Sequence, residues 1–183
     1  MLYIMRHGKT EWNKLHKLQG RTDIPLNEEG RAMAEAARDE YMDTHFDLCY
    51  SSPLRRARET AEIILSGRNV PVRTDDRLVE MSFGEYEGLE NSFQIPDCPI
   101  NVLFTDPASY TSSLGGAETF DELFARADSF LSEIVLPEIN KGKDILIVAH
   151  GALNSAIISL IKKRPISEFW DSGLDQCKLL RLI

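Results

Sequence analysis

Short apolar runs alternate along this chain with longer stretches in which apolar residues recur every three or four positions. Strands are predicted where the apolar runs lie, at residues 2–5, 46–50, 70–74, 144–149 and 178–183. Helices are predicted where the helical spacing lies, at residues 27–41, 52–65, 119–139, 152–162 and 165–170. This alternation predicts an α/β fold, a three-layer sandwich with a mostly parallel central sheet and helices on both faces. The run 145–148 is apolar on both faces, which predicts a central strand.

A few residues predict where these elements begin or end. Asn27 is expected to cap the first helix. Ser52 and Pro53 predict the start of the second, with Ser52 as N-cap and Pro53 at the first helical position. Pro137 is expected to bend or end the long helix that precedes residue 139. Residues 10–25 are polar and predict a long loop, which is a candidate binding segment.

The least regular part of the chain is residues 89–117, which contain three prolines and the pair Gly115-Gly116. No Lys, Arg or His occurs in the sequence of residues 78–125. We interpret residues 81–117 as a small lid or side wall inserted into a single domain that spans residues 1–183, because the chain is of ordinary length for one domain.

Composition narrows the classes of function. The chain has 183 residues, of which 43% are hydrophobic and 27% charged, as in an ordinary soluble globular protein. The formal net charge of -8 argues against binding to nucleic acid or to an anionic membrane, since both select basic surfaces. Three cysteines without a Cys-x-x-Cys pair are typical of a reducing compartment. With no signal-peptide pattern and no long apolar run, we expect a cytoplasmic protein.

Two predicted strands end in the same way, because His7-Gly8 follows the first and His150-Gly151 follows the fourth. The carboxyl ends of parallel strands meet at one edge of a sheet, where ligands bind in open α/β folds. Arg6 lies beside His7, and Arg56 lies in the helix that follows the second strand. We therefore expect a dense positive pocket at this edge, suited to the charged oxygens of a phosphoryl group.

Arg55, Arg56 and Arg58 crowd the first turn of the predicted helix 52–65, where the helix dipole disfavours cations. Long arginines that reach solvent are one reading. An anion site that combines guanidinium groups with a helix N-terminus is the other.

Phosphoryl transfer needs a nucleophile and an acid in addition to cations. A neutral imidazole nitrogen is a good nucleophile toward phosphorus, and the leaving oxygen then needs a proton. Glu80 is the best candidate for the acid, because it follows an apolar run and precedes Gly84 and Gly88. The alternative for Glu80 is an ordinary solvated glutamate.

Six motifs follow one another along nearly the whole chain. They are Arg6-His7-Gly8-x-Thr10-x-x-Asn13, Gln19-Gly20-Arg21-x-Asp23-x-Pro25-Leu26, Ser52-Pro53-Leu54-Arg55-Arg56-Ala57-x-x-Thr60-Ala61, Leu78-x-Glu80-x-x-Phe83-Gly84-x-x-Glu87-Gly88, Gly115-Gly116-x-Glu118 and Ala149-His150-Gly151. In this order they resemble the motifs of the histidine phosphatase superfamily, in its phosphoglycerate mutase-like branch. The first motif alone is a weak signal, whereas six in order are specific.

The resemblance implies a role for each matching position. It makes His7 the nucleophile that becomes phosphohistidine and Glu80 the general acid. It implies that Arg6, Arg56 and His150 bind the oxygens of the phosphoryl group. It further implies a supporting or substrate-binding role for Thr10, Asn13, Gln19, Gly20, Arg21 and Gly151. Neither a metal nor another cofactor is expected, and the sequence carries no His-Glu-x-x-His or Asp-rich metal motif.

The resembling family contains phosphatases and mutases. Its mutases are expected to be longer and to carry a basic insertion that grips the substrate carboxylate, whereas residues 78–125 here lack cations and the chain stops directly after its last strand. Ala152 and Ser155 stand where the mutases carry a polar and a basic residue. We therefore expect a phosphomonoesterase acting on a small phosphorylated metabolite. Phosphoglycerate mutase-type transfer and a non-catalytic module that binds a phosphorylated ligand are the alternatives.

Several features stay open at this point. Lys9 either favours a second anionic group on the substrate or points to solvent. The aromatic residues of the lid either contact an apolar part of the substrate or, as we expect, pack in the core. No nucleic-acid or membrane partner is expected, and the oligomeric state is open, with a dimer as one option.

Overall fold

One five-stranded sheet forms the centre of the fold. The computed structural model describes the backbone of residues 1–183 and every side chain except that of Ser172. The strands are β1 (Leu2–Arg6), β2 (Leu48–Ser51), β3 (Val72–Thr74), β4 (Ile145–Ala149) and β5 (Leu179–Arg181). Their order across the sheet is β3-β2-β4-β1-β5, with β5 antiparallel to β1 and the other pairs parallel. The predicted α/β fold with a mostly parallel sheet is confirmed, and β4 is its central strand.

Seven α-helices surround the sheet in the described chain. They are α1 (Glu11–Lys14), α2 (Glu28–Glu40), α3 (Arg55–Ile64), α4 (Val102–Thr105), α5 (Phe120–Phe130), α6 (Leu136–Asn140) and α7 (Gly151–Lys162). Short 3-10 turns lie at Asp76–Leu78, Gly84–Tyr86, Ser92–Gln94, Pro99–Asn101, Pro107–Ser109 and Ile166–Ser172. Across the described chain, none of the helices combines the length and apolarity that crossing a membrane requires.

The two faces of the sheet belong to separate apolar cores. Strand residues alternate between faces, so Leu2 and Ile4 pack with α5 and α7, whereas Tyr3 and Met5 pack with α2 and α3. Every residue of β4 is fully buried. A strand covered on both faces cannot alternate apolar and polar residues, which is why the sequence of β4 is continuously apolar.

The start of α3 differs from the prediction. The helix begins at Arg55, because Leu54 has an extended backbone, and Ser52 is not its N-cap. The amide of Arg55 donates instead to Asp23 Oδ1 at 2.7 Å, so a carboxylate from a distant loop takes the place of the local cap.

Two further predicted segments are more regular than expected. The polar loop at residues 10–25 contains α1, whose start is stabilised by a capping box between Thr10 and Asn13. The long helix from Thr119 continues past Pro137, because a π-helical stretch at Leu131–Val135 comes just before α6. Proline has no amide hydrogen to donate to the preceding turn, and the wider π-helical turn tolerates this missing bond. The N-cap predicted at Asn27 is confirmed, and Thr119 caps the long helix through a capping box with Glu122.

Residues 81–117 form 3-10 turns and the single turn α4. Ile100 and Leu103 of this segment are fully buried in the core shared with α5 and α7. The segment is therefore packed onto the body of the fold, and its role as a lid stays a prediction.

Candidate active site

The pairing of β1 with β4 brings the two strand-end histidines together. The register places Arg6 opposite Ala149, so the next residues, His7 and His150, leave the sheet side by side. Their ring centroids lie 5.1 Å apart, and both side chains are buried. The predicted meeting of these residues at one sheet edge is confirmed.

The hydrogen bonds of His7 define its tautomer. Nδ1 lies 2.7 Å from the carbonyl oxygen of Gly8, which can only accept, so Nδ1 carries the proton. The other ring nitrogen, Nε2, accepts a hydrogen bond from Arg56 Nε at 3.3 Å. The lone pair of Nε2 therefore points to the side of the ring where Arg56 lies.

Arg56 lies in the first turn of α3 and is fully buried. Its Nη1 donates to the carbonyl of Thr22 at 2.8 Å, and its Nη2 donates to that of Gly20 at 2.7 Å. Burial lowers the pKa of this guanidinium to about 10, so it keeps its charge at neutral pH. Its neighbours Arg55 and Arg58 are half exposed, and only Arg56 turns toward the sheet edge.

Buried polar atoms near His7 lack partners. Among the described side chains, Arg6 Nε and both ring nitrogens of His150 are buried without a hydrogen bond. A buried polar atom without a partner costs about 1–3 kcal/mol, so such a cluster marks a place where a ligand completes the bonding. Since Arg6 is a cation, the ligand that suits it is an anion.

Both histidines are held in the neutral state. Burial, followed by the charge of Arg56, lowers the pKa of His7 and of His150 well below the usual value for an imidazole. A neutral imidazole keeps the lone pair that a nucleophile requires. The free site thus combines guanidinium cations with two uncharged rings.

Glu80 lies at the same end of the sheet and caps α7. Its Oε1 accepts from the amides of Met81 at 2.8 Å and Leu153 at 3.2 Å, and its Oε2 accepts from Ala152 at 3.3 Å. A carboxylate at a helix N-terminus is stabilised by the helix dipole and by the free amides there. Glu80 is 8% exposed, which contradicts the reading of an ordinary solvated glutamate.

These residues line one cavity of about 330 Å³. Part of the lining surrounds the two guanidinium groups and the nucleophile candidate, with Arg6, His7, Asn13, Gln19, Gly20, Arg56, Glu80 and Gly151. The rest is largely apolar and aromatic, with Leu18, Phe83, Phe104, Ala152, Ser155, Trp170 and Leu174. Lys17 and Asp175 also line the cavity. A molecule bound here by an anionic group therefore has an aromatic wall, formed by Phe83, Phe104 and Trp170, within the same cavity.

Two residues predicted to contact substrate do not line this cavity. Thr10 is fully buried, and its hydroxyl donates to Gln19 Oε1 at 2.8 Å. Arg21 turns away and pairs with Glu118 at 3.2 Å. Lys9, whose direction was open, pairs with Glu29 at 2.6 Å.

A neighbouring residue was missed as a contributor to the site. Both oxygens of Glu87 accept backbone amide bonds from the loop after α1, at 2.9 Å from Arg21 and 3.0 Å from Thr22. Gly20 permits this contact, because a Cβ there would lie 2.1 Å from Glu87 Oε1. Glu87 thus fixes the loop whose carbonyls hold Arg56. Its place in a sequence motif was the available signal.

One possible metal-ligand cluster occurs in the described chain, and it lies away from this cavity. His45, Asp47 and Asp144 have ligand atoms within 4.8 Å of one another. They lie before the first residues of β2 and β4, at the edge of the sheet opposite the cavity. Their oxygens are already bonded, since Asp144 pairs with the amino group of Met1 at 2.7 Å.

Comparisons with known proteins place the geometry in context. The sequence matches the profile of the histidine phosphatase superfamily (branch 1) over residues 2–183. A 2,3-bisphosphoglycerate-dependent phosphoglycerate mutase of Cytophaga hutchinsonii is 32% identical over 168 residues, which cover 90% of this chain and 79% of the relative. The uncharacterized phosphatase PhoE of Bacillus subtilis is 34% identical over 158 residues, covering 86% of this chain and 75% of that protein. The solved structure of a mycobacterial glucosyl-3-phosphoglycerate phosphatase complexed with VO3 is 30% identical, with a TM-score of 0.85 and coverage of 97% of this chain and 90% of that one.

The buried histidines make the stability of the fold depend on pH. Because the pKa of His7 and of His150 is lowered in the folded state, the unfolded chain binds more protons below about pH 6.5. The free energy of unfolding is therefore expected to fall as the pH drops through that value, by up to about 1.4 kcal/mol per pH unit for each histidine. Urea unfolding at a series of pH values measures this slope.

Matched variants assign the slope to its residues. His7→Asn and His150→Asn each remove one buried imidazole and are expected to flatten it. His16→Asn removes an exposed imidazole and is expected to leave it as it is. A slope that neither buried-site variant changes would contradict the burial of neutral rings.

Proposed function

The chain belongs to branch 1 of the histidine phosphatase superfamily, and from that membership we propose that it is a metal-independent phosphomonoesterase. Its substrate is a small phosphorylated metabolite, and hydrolysis passes through a phosphohistidine at His7. The observation that carries this proposal is the set of buried, unpartnered nitrogens of Arg6 and His150 beside the neutral imidazole of His7. A phosphoryl group supplies the acceptors that Arg6 and His150 lack, next to Nε2 of His7.

In the first step, Nε2 of His7 attacks phosphorus, and the bond to the leaving oxygen breaks. Arg56 now donates to Nε2 at 3.3 Å, and it transfers this donation to a phosphoryl oxygen when substrate enters. Arg6 and His150 bind the other oxygens. The charge that develops in the transition state is thereby neutralised by guanidinium groups already desolvated for that purpose.

Glu80 acts in both steps. In the first step Glu80 gives a proton to the leaving oxygen, and the alcohol is released. The resulting carboxylate then takes a proton from water as the water attacks the phosphohistidine. Inorganic phosphate leaves, and His7 returns to its neutral form.

Hydrolysis is favoured over transfer to a second hydroxyl group. A mutase must hold its phosphorylated intermediate against water and grip the rest of its substrate until the phosphoryl group returns. Apart from Arg6 and Arg56, Lys17 is the one cation among the described residues that line the cavity, and the negatively charged Asp175 lines it too. Ala152 and Ser155 stand where the branch's mutases are expected to carry polar and basic groups. The mutase reading draws its support from the relative in Cytophaga hutchinsonii.

The aromatic wall suggests which alcohols are accepted. Phe104 packs against Phe83 at 5.7 Å and against Trp170 at 5.2 Å between ring centroids. The indole of Trp170 is fixed, because its Nε1 donates to the carbonyl of Leu103 at 2.8 Å. Fixed aromatic faces bind flat apolar groups well. We infer that the enzyme prefers phosphomonoesters whose alcohol carries such a group.

His7→Ala is expected to abolish phosphate release from p-nitrophenyl phosphate, assayed in excess chelator. The wild-type protein is expected to retain its activity under those conditions and to form an acid-labile phosphohistidine, which mass spectrometry of the quenched enzyme should locate at His7. Arg56→Ala removes a donor to the transition state and is expected to lower kcat by roughly 10²–10³. Full activity of His7→Ala would refute the mechanism, and a failure to phosphorylate His7 with any donor would favour a binding module.

The ratio of hydrolysis to transfer separates phosphatase from mutase. With 3-phosphoglycerate as substrate, free phosphate is expected to accumulate faster than 2-phosphoglycerate. Phosphorus NMR of one reaction mixture measures both products. Faster isomerisation than phosphate release would establish the mutase.

Phe104→Ala is expected to lower kcat/KM for 1-naphthyl phosphate by about tenfold, the equivalent of ~1.4 kcal/mol of lost ring contact, and to change that for glycerol phosphate little. Phe93→Ala is the matched control, because Phe93 contacts Phe104 but is 64% exposed and lines a different cavity. Equal losses for both substrates would contradict a specificity role for the wall.

A further inference from the structure

The segment that carries Glu80 has an irregular backbone. Residues 79–83 lie between the 3-10 turns at Asp76–Leu78 and Gly84–Tyr86, outside any strand or helix. The carboxylate of Glu80 is bonded to the first amides of α7, but no helix or sheet bonds fix the backbone from which it extends. Proton transfer to a bound substrate requires a catalytic side chain held to within about 0.5 Å. Other bonds must supply that precision.

Arg126 of α5 supplies two of them. Its Nη1 donates to the carbonyl of Arg77 at 2.6 Å and to that of Val79 at 2.7 Å. The second of these residues directly precedes Glu80. The side chain of Arg126 is only 15% exposed, so these charge-assisted bonds are largely shielded from water.

Glu118 holds the other side of Glu80. Its Oε2 accepts from the amide of Ser82 at 3.3 Å, and its own amide donates to the Ser82 carbonyl at 2.9 Å. The close approach is possible because Gly84 has a positive φ of 56°, and a Cβ there would lie 2.1 Å from the carbonyl oxygen of Gly115. The turn that contains Gly115, Gly116 and Glu118 thus packs directly against the segment that carries Glu80.

The two holding side chains also bind each other. Arg126 donates from Nε to Glu118 Oε1 at 2.7 Å and from Nη2 to Oε2 at 3.0 Å, a two-bond ion pair. Arg21 adds a third contact, because it pairs with Glu118 at 3.2 Å and donates from Nε to the carbonyl of Glu80 at 3.3 Å. Removing one member would leave the other buried and unpaired, so the pair acts as a unit.

We propose that the Glu118–Arg126 ion pair positions the general acid Glu80 by fixing the backbone on both sides of it. Both are positioning residues, since neither lines the cavity at His7. The inference rests on the proposed function, because it requires Glu80 to protonate a leaving group. It gives a role to the motif Gly115-Gly116-x-Glu118, which the proposed mechanism leaves without one.

Dependence on the leaving group tests this role. Glycerol phosphate has a basic leaving oxygen that needs a proton, whereas p-nitrophenyl phosphate releases a stable phenolate that hardly does. Arg126→Met is expected to lower kcat/KM for glycerol phosphate roughly 10–100-fold, part of the ~10²–10⁴ that a general acid contributes, and that for p-nitrophenyl phosphate by less than about threefold. Arg77→Met is the matched control, because it breaks an ion pair with Asp75 beside the same segment and leaves residues 79–82 untouched.

A double-mutant cycle identifies Glu80 as the residue through which Arg126 acts. In a Glu80→Gln background, Arg126→Met is expected to cause no further selective loss with glycerol phosphate. A selective loss that persists there, or equal losses for both substrates in the single variant, would overturn the inference. If Arg126→Met does not fold, Glu118→Gln decides the question by the same criteria.

The same experiment keeps the two proposals apart. Glu80→Gln alone must show the selective loss if Glu80 is the general acid. A uniform effect, or none, would refute that part of the proposed function. A selective loss in Glu80→Gln together with wild-type selectivity in Arg126→Met and Glu118→Gln would refute the positioning role and leave the mechanism intact.

Discussion

The parallel pairing of β1 with β4 is the constraint on which the site depends. With Arg6 opposite Ala149, the two histidines that follow leave the sheet in adjacent positions. A slip of one residue would send every side chain of β1 to the opposite face and separate the rings. Burial of β4 on both faces makes such a slip costly, because alternate residues of each strand pack into different apolar cores. The stability of the sheet and the geometry of the site are therefore one property.

That geometry is held at a cost to stability. Arg56 is fully buried, and its guanidinium binds carbonyl oxygens and an imidazole without a directly bonded carboxylate. Desolvating a cation without a paired anion is unfavourable, as the lowered pKa of Arg56 records. Arg6 and His150 add donors that stay unsatisfied in the free protein. A site of this kind gains most from a ligand that brings several negatively charged oxygens. The same buried cation and unpartnered atoms that lower the stability of the free protein therefore favour the binding of such an anion.

Local patterns predicted the sheet, the main helices and the meeting of Arg6, His7, Arg56 and His150, because hydrophobic periodicity and strand ends are properties of neighbouring residues. The start of α3 escaped prediction because Asp23, far away in sequence, supplies its capping bond. The direction of Arg21 escaped for the same reason, since it depends on a carboxylate 97 positions along the chain that only the fold brings near. Long-range partners decide the details that local propensity leaves open.

Strand ends alone cannot complete a site of this kind. Two irregular segments carry its remaining parts, the loop with Gly20 and Thr22 that orients Arg56 and the segment with Glu80. Each is braced by a buried or half-buried carboxylate. Glu87 accepts from the amides of Arg21 and Thr22 in the first segment, and Glu118 accepts from the amide of Ser82 in the second. A carboxylate can bind two amides at once, which suits it to fixing loops that have no ladder of their own. The motif residues of this chain therefore divide by physical role into those that line the cavity at His7 and those that hold the loops on which the first set stands.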